Sequence, residues 1–373
     1  MKVSKLFGKS LRENPSDVEL VSHGLMLRSA MICQASSGVY TYMPLAWRSI
    51  RKIEQIIREE INAVGGQELR LPALQPREIW QQSGRYDTMG EDMFRLDDRR
   101  QRHFVLAPTH EEILTNVVGA NVHSYRDLPL ILYQIQTKFR DEQRPRGGLI
   151  RVREFDMKDA YSFDTDNEGL DLSYKLMVEA YKNIFDRCGL STVLVDADSG
   201  AIGGRDSQEF VLLAEAGEDT IVLCENCGYA ANTEKAEFAK LEQDTEIPVS
   251  LEDVHTPAVK TVKELANFLG ISARRVIKTL VYIADGKMVI VLIRGDLDVN
   301  ETKLRNLLHV SNLRFATKPE VESVGMVSGF AAPVGTIGVE IIADDSIQSG
   351  INFVTGANKK DYHLLNVNYP RDF

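Results

Sequence analysis

The segment KFRDEQRPRGGLIRVREF, residues 138–155, holds five arginines in eighteen positions of a 373-residue chain whose formal net charge is −10. Apolar and polar residues alternate over Leu130–Arg140 and again over Ile150–Lys158, and a loop rich in proline and glycine separates the two runs. This alternation is typical of strands, and such a loop is typical of a hairpin connection. The pattern therefore predicts two antiparallel strands that carry arginines and are joined by a flexible tip, RPRGG.

The charge of this hairpin predicts an anion-binding surface. Between Lys138 and Lys158, seven cationic side chains stand against four anionic ones. Residues two apart in a strand share a face, so Arg140 is expected beside Glu142, and Arg151 beside Arg153. Planar guanidinium donors suit phosphate oxygens, which favours a polyphosphate or nucleic-acid site. Because most charge runs are solvated surface, a plain charged hairpin is the alternative, and charge by itself leaves both open.

The whole chain has the composition of an ordinary globular protein, with 43% hydrophobic and 26% charged residues. A pI near 5.4 argues against non-specific coating of nucleic acid. The sequence has no signal peptide and no apolar run long enough to span a membrane, which predicts a cytoplasmic protein without a membrane partner. Its four cysteines do not form a disulfide framework. The pair Cys224-x-x-Cys227 lacks a second pair nearby, so no metal site is predicted.

Periodicity and capping signals predict a mixed α+β fold. Before the arginine hairpin, they indicate a capping box at Ser16-Asp-Val-Glu19 with a helix through Met31, a helix at about 45–64 that stops at Gly65-Gly66, a strand at Glu68–Pro72 and a hairpin of Met93–Leu96 with His103–Ala107. After it, they indicate a helix at 167–189, strands at Val193–Val195 and Phe210–Leu213, a capping box at Thr261-Val-Lys-Glu264, a hairpin around Asp285-Gly286 and a helix at Asn300–Leu307.

Near residues 216–225 the sequence changes from alternating strand-like residues to an acidic loop, which predicts a boundary between two domains. The expected domains are residues 1–222, mixed α+β, and residues 223–373, a smaller α/β domain.

Four motifs in order resemble bacterial-type prolyl-tRNA synthetases, which are class II aminoacyl-tRNA synthetases. Phe139-Arg-Asp-Glu142, a loop and Arg151-Val-Arg-Glu-Phe155 are similar to motif 2 of that class. Gly65–Pro72 resembles motif 1, Ala107-Pro-Thr-His-Glu-Glu112 resembles the T-x-E loop of the prolyl enzymes, and Gly203-Gly204 with Ser207–Phe210 resembles a later segment. The resemblance implies an antiparallel-sheet catalytic domain of the class II type.

The same resemblance implies how proline and ATP are bound. Arg140 would contact the α-phosphate of ATP and the carboxylate of proline, Glu142 the adenine amino group, and Arg151 the triphosphate, with Mg²⁺ sharing its charge. Thr109 and Glu111 would hold the imino group of proline. For Thr109, N-capping of the following helix is an alternative or additional role.

The resemblance also implies macromolecular partners. Arg144 and Arg146 at the tip would contact the acceptor end of tRNA(Pro), although a solvated loop is the alternative for both. Pro72 would lie at the interface of a homodimer formed through motif 1. Arg153 has no role that the resemblance supplies.

The second domain resembles the editing domain inserted into bacterial prolyl-tRNA synthetases, which hydrolyses mischarged alanyl-tRNA(Pro). Editing is needed because a proline pocket discriminates weakly against the smaller alanine. The matching residues are Lys278, Asp344 and His363 as catalytic residues, and the Gly329–Pro333 loop, whose N–H groups would face the substrate carbonyl.

No segment resembles motif 3, the glycine-rich strand and helix that completes a class II site, or the anticodon-binding domain that follows it. The expectation is a truncated portion of a proline–tRNA ligase, or half of a split one, whose catalytic domain is incomplete. Two alternatives are a tRNA-binding or trans-editing deacylase without ligase activity and a non-catalytic paralogue that only dimerises.

Overall fold

The computed structural model describes residues 2–15, 18, 20–200, 207–238, 246–310 and 312–373. The chain divides into two compact units, Met1–Thr220 and Ile221–Phe373. The capping box predicted at Ser16–Glu19 and the pair Gly203-Gly204 lie outside the described residues. Among the described residues, no helix is both long enough and apolar enough to cross a membrane.

The helices of the first unit are α1 Val21–Arg28, α2 Pro44–Ala63, α3 Arg77–Gln82, α4 Arg85–Thr88, α5 Glu111–Asn121 and α6 Asn167–Arg187, with 3-10 turns at Val3–Lys5, Gly90–Asp92 and Tyr125–Asp127. Its strands are β1 Ile32–Ser36, β2 Val39–Tyr42, β3 Gln67–Glu68, β4 Leu74–Pro76, β5 Arg95–Asp97, β6 His103–Leu106, β7 Leu130–Phe139, β8 Glu154–Phe163, β9 Thr192–Ala197 and β10 Ser207–Leu212.

The long helices of this unit pack on its central sheet. Helix α2 begins with Pro44 at its first turn, where the missing N–H costs nothing, and its chain leaves the helix at Gly65, whose φ is +89°. Helix α6 is N-capped by Asp166, whose carboxylate accepts from Gly169 N at 2.8 Å. Side chains of both helices bury Tyr133 of β7 in one apolar cluster. These bounds confirm the helices predicted at about 45–64 and 167–189.

The central sheet has the order β3-β7-β8, with β3 parallel to β7 and β7 antiparallel to β8. The strand predicted at Glu68–Pro72 is only two residues long, since beyond it the backbone of Leu71 bonds to side chains of β7. Gln134 accepts from Leu71 N at 3.0 Å, and Gln136 donates to Leu71 O at 2.8 Å.

A second sheet, of order β4-β6-β5, contains the predicted hairpin of β5 and β6. Elsewhere in this unit, β9 pairs with β10 in antiparallel register.

The prediction that the strands of the arginine hairpin carry its arginines is wrong. Strand β7 ends at Phe139 and β8 begins at Glu154, so all five arginines lie in the connection. The ladder stops because the N–H of Arg153 bonds to Gly38 O at 2.8 Å, outside the hairpin, while Glu142 N turns back to Arg140 O at 2.8 Å. Strand alternation therefore does not orient these side chains.

The second unit contains helices α7 Val262–Leu269, α8 Glu301–Leu308, α9 Lys318–Ser323 and α10 Asp345–Gln348, a 3-10 turn at Ala273–Arg275, and strands β11 Ile221–Leu223, β12 Ala230–Asn232, β13 Glu252–His255, β14 Ile277–Ala284, β15 Lys287–Arg294, β16 Leu313–Phe315, β17 Glu340–Ala343, β18 Phe353–Gly356 and β19 Tyr362–Val367. Strands β11 and β12 pair antiparallel with each other, and the remaining seven form sheets of order β16-β14-β15-β17 and β13-β19-β18.

Local signals account for the main elements of this unit. Asp285 and Gly286 both have positive φ, +44° and +84°, as a two-residue turn between β14 and β15 requires. Thr261 and Glu264 form the predicted capping box of α7, and Asn300 caps α8. The buried core lies along β14, β15, β18 and β19, with Ile290, Leu292 and Phe353 inaccessible to solvent.

Candidate active sites

A cavity of about 720 Å³ in the first unit collects the predicted ATP-binding residues. Its walls are formed by helix α2, the strands of the arginine hairpin and their connection. The lining includes Ile50, Ile53, Ile57, Asp92, Arg140, Glu142, Ile150, Arg151, Phe155, Asp156 and Lys158. The cavity thus joins an apolar wall with several charged groups.

Three charged residues of the connection face this cavity. The guanidinium of Arg140 lies 5.4 Å from the centroid of the Phe155 ring, and its Nε is buried with no hydrogen-bond partner among the described residues. Arg151 Nη1 is 4.0 Å from Glu142 Oε2, and Arg151 Nε is 3.6 Å from Glu218 Oε2. An unpaired buried donor is costly, so Arg140 Nε can donate to an acceptor that enters the cavity.

The tip of the connection packs against the turn between β1 and β2. Gly38 in that turn has φ +74°, and a Cβ there would come within 2.8 Å of Pro145. Arg146 and Arg151 bond to each other through both backbone N–H groups at 3.2 Å, and the Arg146 side chain donates to Glu218 at 2.9 Å. The side chain of Arg144 is exposed. The tip therefore has defined packing as well as solvent-facing cationic groups.

Arg153, which sequence reasoning left without a role, braces the turn that carries Glu142. Its Nε donates to Glu142 O at 3.1 Å, and its Nη2 lies 3.5 Å from Asp141 Oδ1. These contacts fix the backbone at Glu142, whose side chain lines the cavity.

The predicted proline-binding residues lie at the start of α5, and a backbone bond links their segment to β7. Phe139 N, one residue before Arg140, donates to Ala107 O at 3.0 Å. Thr109 Oγ1 donates to Glu111 Oε2 at 2.5 Å. The alternative role of Thr109 as an N-cap is wrong, because His110 occupies the N-cap position and no side chain caps this helix. Thr109 instead orients the carboxylate.

A buried polar network centred on Asp159 supports this segment. Lys138, which has no solvent-exposed surface, donates to Asp159 Oδ1 at 2.7 Å, and Gln134 and Tyr161 donate to Asp159 Oδ2 at 3.0 and 2.5 Å. Burial lowers the pKa of Lys138 and raises the pKa of Tyr161, so that the phenol stays protonated as a donor. Burial, and then the charge of Lys138, lower the pKa of His110 to about 4. His110 is therefore neutral at pH 7.

Pro72, the predicted interface residue, is exposed at the end of the segment that follows β3. The adjacent Leu71 is buried and fixed by Gln134 and Gln136, so the segment is anchored on one side and open on the other.

The second unit has a cavity of about 250 Å³ that brings together Lys278, Gly329 and His363. Lys278 Nζ donates to Leu297 O at 2.6 Å and to Asp298 Oδ1 at 2.7 Å. His363 Nδ1 is 2.6 Å from Thr256 Oγ1, and burial lowers the pKa of its imidazole. The cavity thus combines the imidazole of His363 with the side chain of Lys278.

Two predicted editing residues, Asp344 and Pro333, are not among the residues that line this cavity. Asp344 is the N-cap of α10, where its carboxylate accepts from Ser346 N at 3.0 Å. Thr256, which sequence reasoning missed, contacts His363 from the segment after β13, and no motif pointed to it.

No group of three or more His, Cys, Asp or Glu side chains in the described ranges is placed to hold a metal ion. Cys224 and Cys227 are both free thiols, and the backbone N–H of Cys227 lowers the pKa of Cys224.

Comparison with known proteins identifies the class of the chain. Residues 94–254 match the family model of the class II tRNA synthetase core domain (G, H, P, S and T), and residues 256–372 match that of the aminoacyl-tRNA editing domain. The pair defines a class II synthetase core accompanied by an editing domain, which confirms the predicted fold class.

The relatives narrow the class to one family. The chain is 57% identical over 373 residues to a proline–tRNA ligase of Dehalococcoides mccartyi, and 54% identical over 370 residues to one of Caldicellulosiruptor saccharolyticus. The two matches span 100% and 99% of this chain, and 66% and 64% of the length of the respective relatives. A solved prolyl-tRNA synthetase of Cryptosporidium parvum, complexed with L-proline and AMP, aligns with 50% of this chain and 38% of that chain at 18% identity and a TM-score of 0.45. The chain belongs to the prolyl-tRNA synthetase family, as its motifs predicted.

Proposed function

We propose that the protein is a proline–tRNA ligase that activates proline with ATP and transfers it to tRNA(Pro) in the cytoplasm. The proposal rests on one arrangement, in which Arg140, with its buried unpaired Nε, lies in the cavity with Glu142 and Arg151 and is linked through β7 to the Thr109–Glu111 segment. The identity to proline–tRNA ligases supports it. In this proposal residues 1–222 form the catalytic part, and residues 223–373 the editing part.

The reaction needs positioned donors rather than an enzyme nucleophile. The carboxylate oxygen of proline attacks the α-phosphorus of ATP, the bond to the bridging oxygen breaks, and pyrophosphate leaves with that electron pair. Arg140 would hold the attacking carboxylate and the α-phosphate together and would stabilise the negative charge that develops on the phosphate oxygens. Arg151, on the same wall, would hold the triphosphate in place of its contact with Glu218.

Selection of ATP and proline falls to two carboxylates. Glu142, braced by Arg153, would accept from the adenine amino group beside the Phe155 ring. Glu111, oriented by Thr109, would pair with the cationic imino group of proline. Mg²⁺ would enter on the phosphates of ATP, since the described residues offer no metal cluster of their own.

The exposed surfaces suit the remaining partners. Arg144 and Arg146 at the tip would contact phosphates and bases at the acceptor end of tRNA(Pro). A homodimer would form through the segment that contains the exposed Pro72, and light scattering of the purified protein at increasing concentration would measure it.

The ligase proposal is tested by charging of tRNA(Pro) with radiolabelled proline, with protein expressed from the complete reading frame. Glu142→Gln is expected to raise the KM for ATP about 10-fold, through loss of a charge-assisted hydrogen bond, and to leave the KM for proline unchanged. The control is Glu154→Gln, an exposed glutamate at the start of β8, which should charge normally. Charging with another amino acid in preference to proline would overturn the substrate assignment.

A second activity, hydrolysis of alanyl-tRNA(Pro), is favoured by the cavity that joins Lys278, Gly329 and His363. Water would attack the ester carbonyl, the acyl–oxygen bond would break, and alanine and the 3′-hydroxyl of tRNA would result. Lys278 would attract a phosphate of the acceptor end, and N–H groups of the Gly329 loop would face the carbonyl oxygen. Asp344, at the N-cap of α10, is retained as a candidate residue with an indirect role.

This activity is measured as release of alanine from pre-formed alanyl-tRNA(Pro). Lys278→Ala is expected to slow release at least about 10-fold, while Lys287→Ala, an exposed lysine on the partner strand, should not. Deacylation without any proline charging would favour the alternative of a trans-editing deacylase. Equal rates for both variants would exclude Lys278.

A further inference from the structure

Two consecutive glutamates at the start of α5 share a single arginine. Arg85 Nη1, from the first position of α4, donates to Glu111 Oε2 at 3.2 Å and to Glu112 Oε1 at 3.0 Å. The group of one guanidinium and two carboxylates therefore has a formal charge of −1. Arg85 lies 26 positions before Glu111 in the chain, and no sequence motif connects the two.

One side of this group is fixed. The Glu112 side chain is only 4% exposed, and Ser83 Oγ donates to its Oε1 at 3.0 Å, while its Oε2 is buried without a hydrogen-bond partner among the described residues. The Arg85 guanidinium lies 5.5 Å from the centroid of the fully buried Trp80 ring. Glu112 and Trp80 thus hold Arg85 in one place.

The other side of the group is open. The Glu111 side chain is 35% exposed, although its neighbour is buried. Both hydrogen bonds that the described residues give to its carboxylate, from Thr109 and from Arg85, fall on Oε2. Neither bond falls on Oε1, so this oxygen can accept from an incoming donor.

We propose that Arg85 is a positioning residue for the amino-acid site: it fixes Glu111 in the orientation that receives the imino cation of proline. The inference rests on the proposed function. Because Arg85 divides its charge between two carboxylates, it orients Glu111 without neutralising it, and the remaining negative charge matches the single positive charge of the substrate's imino group. Glu112 is the buried counter-charge that makes this division possible.

Two variants separate positioning from plain structural support, with proline-dependent ATP–pyrophosphate exchange as the assay. Glu112→Gln keeps the shape but lets Arg85 neutralise Glu111, so the KM for proline should rise several-fold. Arg85→Met with Glu112→Gln removes the arginine without leaving a buried unpaired charge, and the KM for proline should rise about 10-fold. In both, the KM for ATP and the unfolding midpoint should stay close to wild type.

The matched control is Arg102→Met. Like Arg85, Arg102 bonds to a carboxylate, that of Asp98, and its guanidinium lies 5.6 Å from the centroid of an aromatic ring, that of Phe104. Its side chain, however, is 65% exposed and touches neither glutamate. Its KM for proline should be unchanged. An unchanged KM for proline in either test variant, with normal exchange by the wild type, would overturn the inference alone. A wild-type protein without proline-dependent exchange would refute the proposed function, and this inference with it.

Discussion

The stability of the first unit should depend on pH through one buried histidine. His110 has no solvent-exposed surface and a pKa of about 4, against about 6.5 for a histidine in an unfolded chain. Between these values the unfolded chain binds a proton that the folded chain excludes. Folding stability is therefore lost as the pH falls through this window and is fully present above it.

The size of the effect follows from the two pKa values. A pKa difference of 2.5 corresponds to about 3 kcal/mol once the pH is below both values, and to about 2 kcal/mol between pH 7 and pH 5. Urea unfolding followed by tryptophan fluorescence isolates this unit, since both tryptophans of the chain, Trp47 and Trp80, belong to it. The free energy of unfolding is measured at pH 7 and at pH 5 for the wild type and for His110→Gln.

Replacement of His110 should remove its contribution to the pH dependence of the unfolding free energy. The wild type is expected to lose about 2 kcal/mol more than His110→Gln between the two pH values. His123→Gln, at an exposed position, should behave as the wild type. Equal pH dependence of wild type and His110→Gln, or a steeper one in the variant, would refute the burial of a neutral imidazole at this place.

Two further predictions concern the supports of the site. Lys138→Met, which leaves Asp159 buried without its cation, should cost about 3–5 kcal/mol of unfolding free energy, and most of that should return in Lys138→Met with Asp159→Asn; an equal loss in both would contradict the ion pair. Gly38→Ala, which places a Cβ 2.8 Å from Pro145 at φ +74°, should make the tip more sensitive to limited proteolysis. Gly65→Ala, at φ +89° with open space around it, is the control for backbone strain and should leave the cleavage pattern of the tip as in the wild type.

Local signals predicted most elements because those signals act over a few residues. Helix caps and the Asp285-Gly286 turn depend on neighbours in sequence. The isoleucines of α2 show the limit of such reasoning: Ile50, Ile53, Ile57 and Ile61 recur at helical spacing, but the first three line the cavity and, of the four, only Ile61 is fully buried. Periodicity identifies a shared face of a helix, but not what covers that face.

The arginine connection shows the same limit for a site. The alternation of apolar and polar residues predicted strands that include the arginines. The ladder instead ends where the N–H of Arg153 bonds to Gly38 O, over a hundred residues earlier in the chain. Arg85 could not be predicted for a similar reason, because its partners lie on another helix. The adjacent glutamates at 111 and 112 were the only sign in the sequence that a cation lies nearby. Motif resemblance named the residues proposed to meet the substrate, while the residues proposed to orient them depend on tertiary contacts alone.

The most direct test of the central claim, that this chain carries the proline-activating site of a proline–tRNA ligase, is amino-acid-dependent ATP–pyrophosphate exchange by the protein from its complete reading frame. Exchange should be strongest with proline, should be weaker but detectable with alanine, and should be lost in Arg140→Ala. Exchange that is stronger with another amino acid than with proline, or that survives removal of Arg140, would contradict the account.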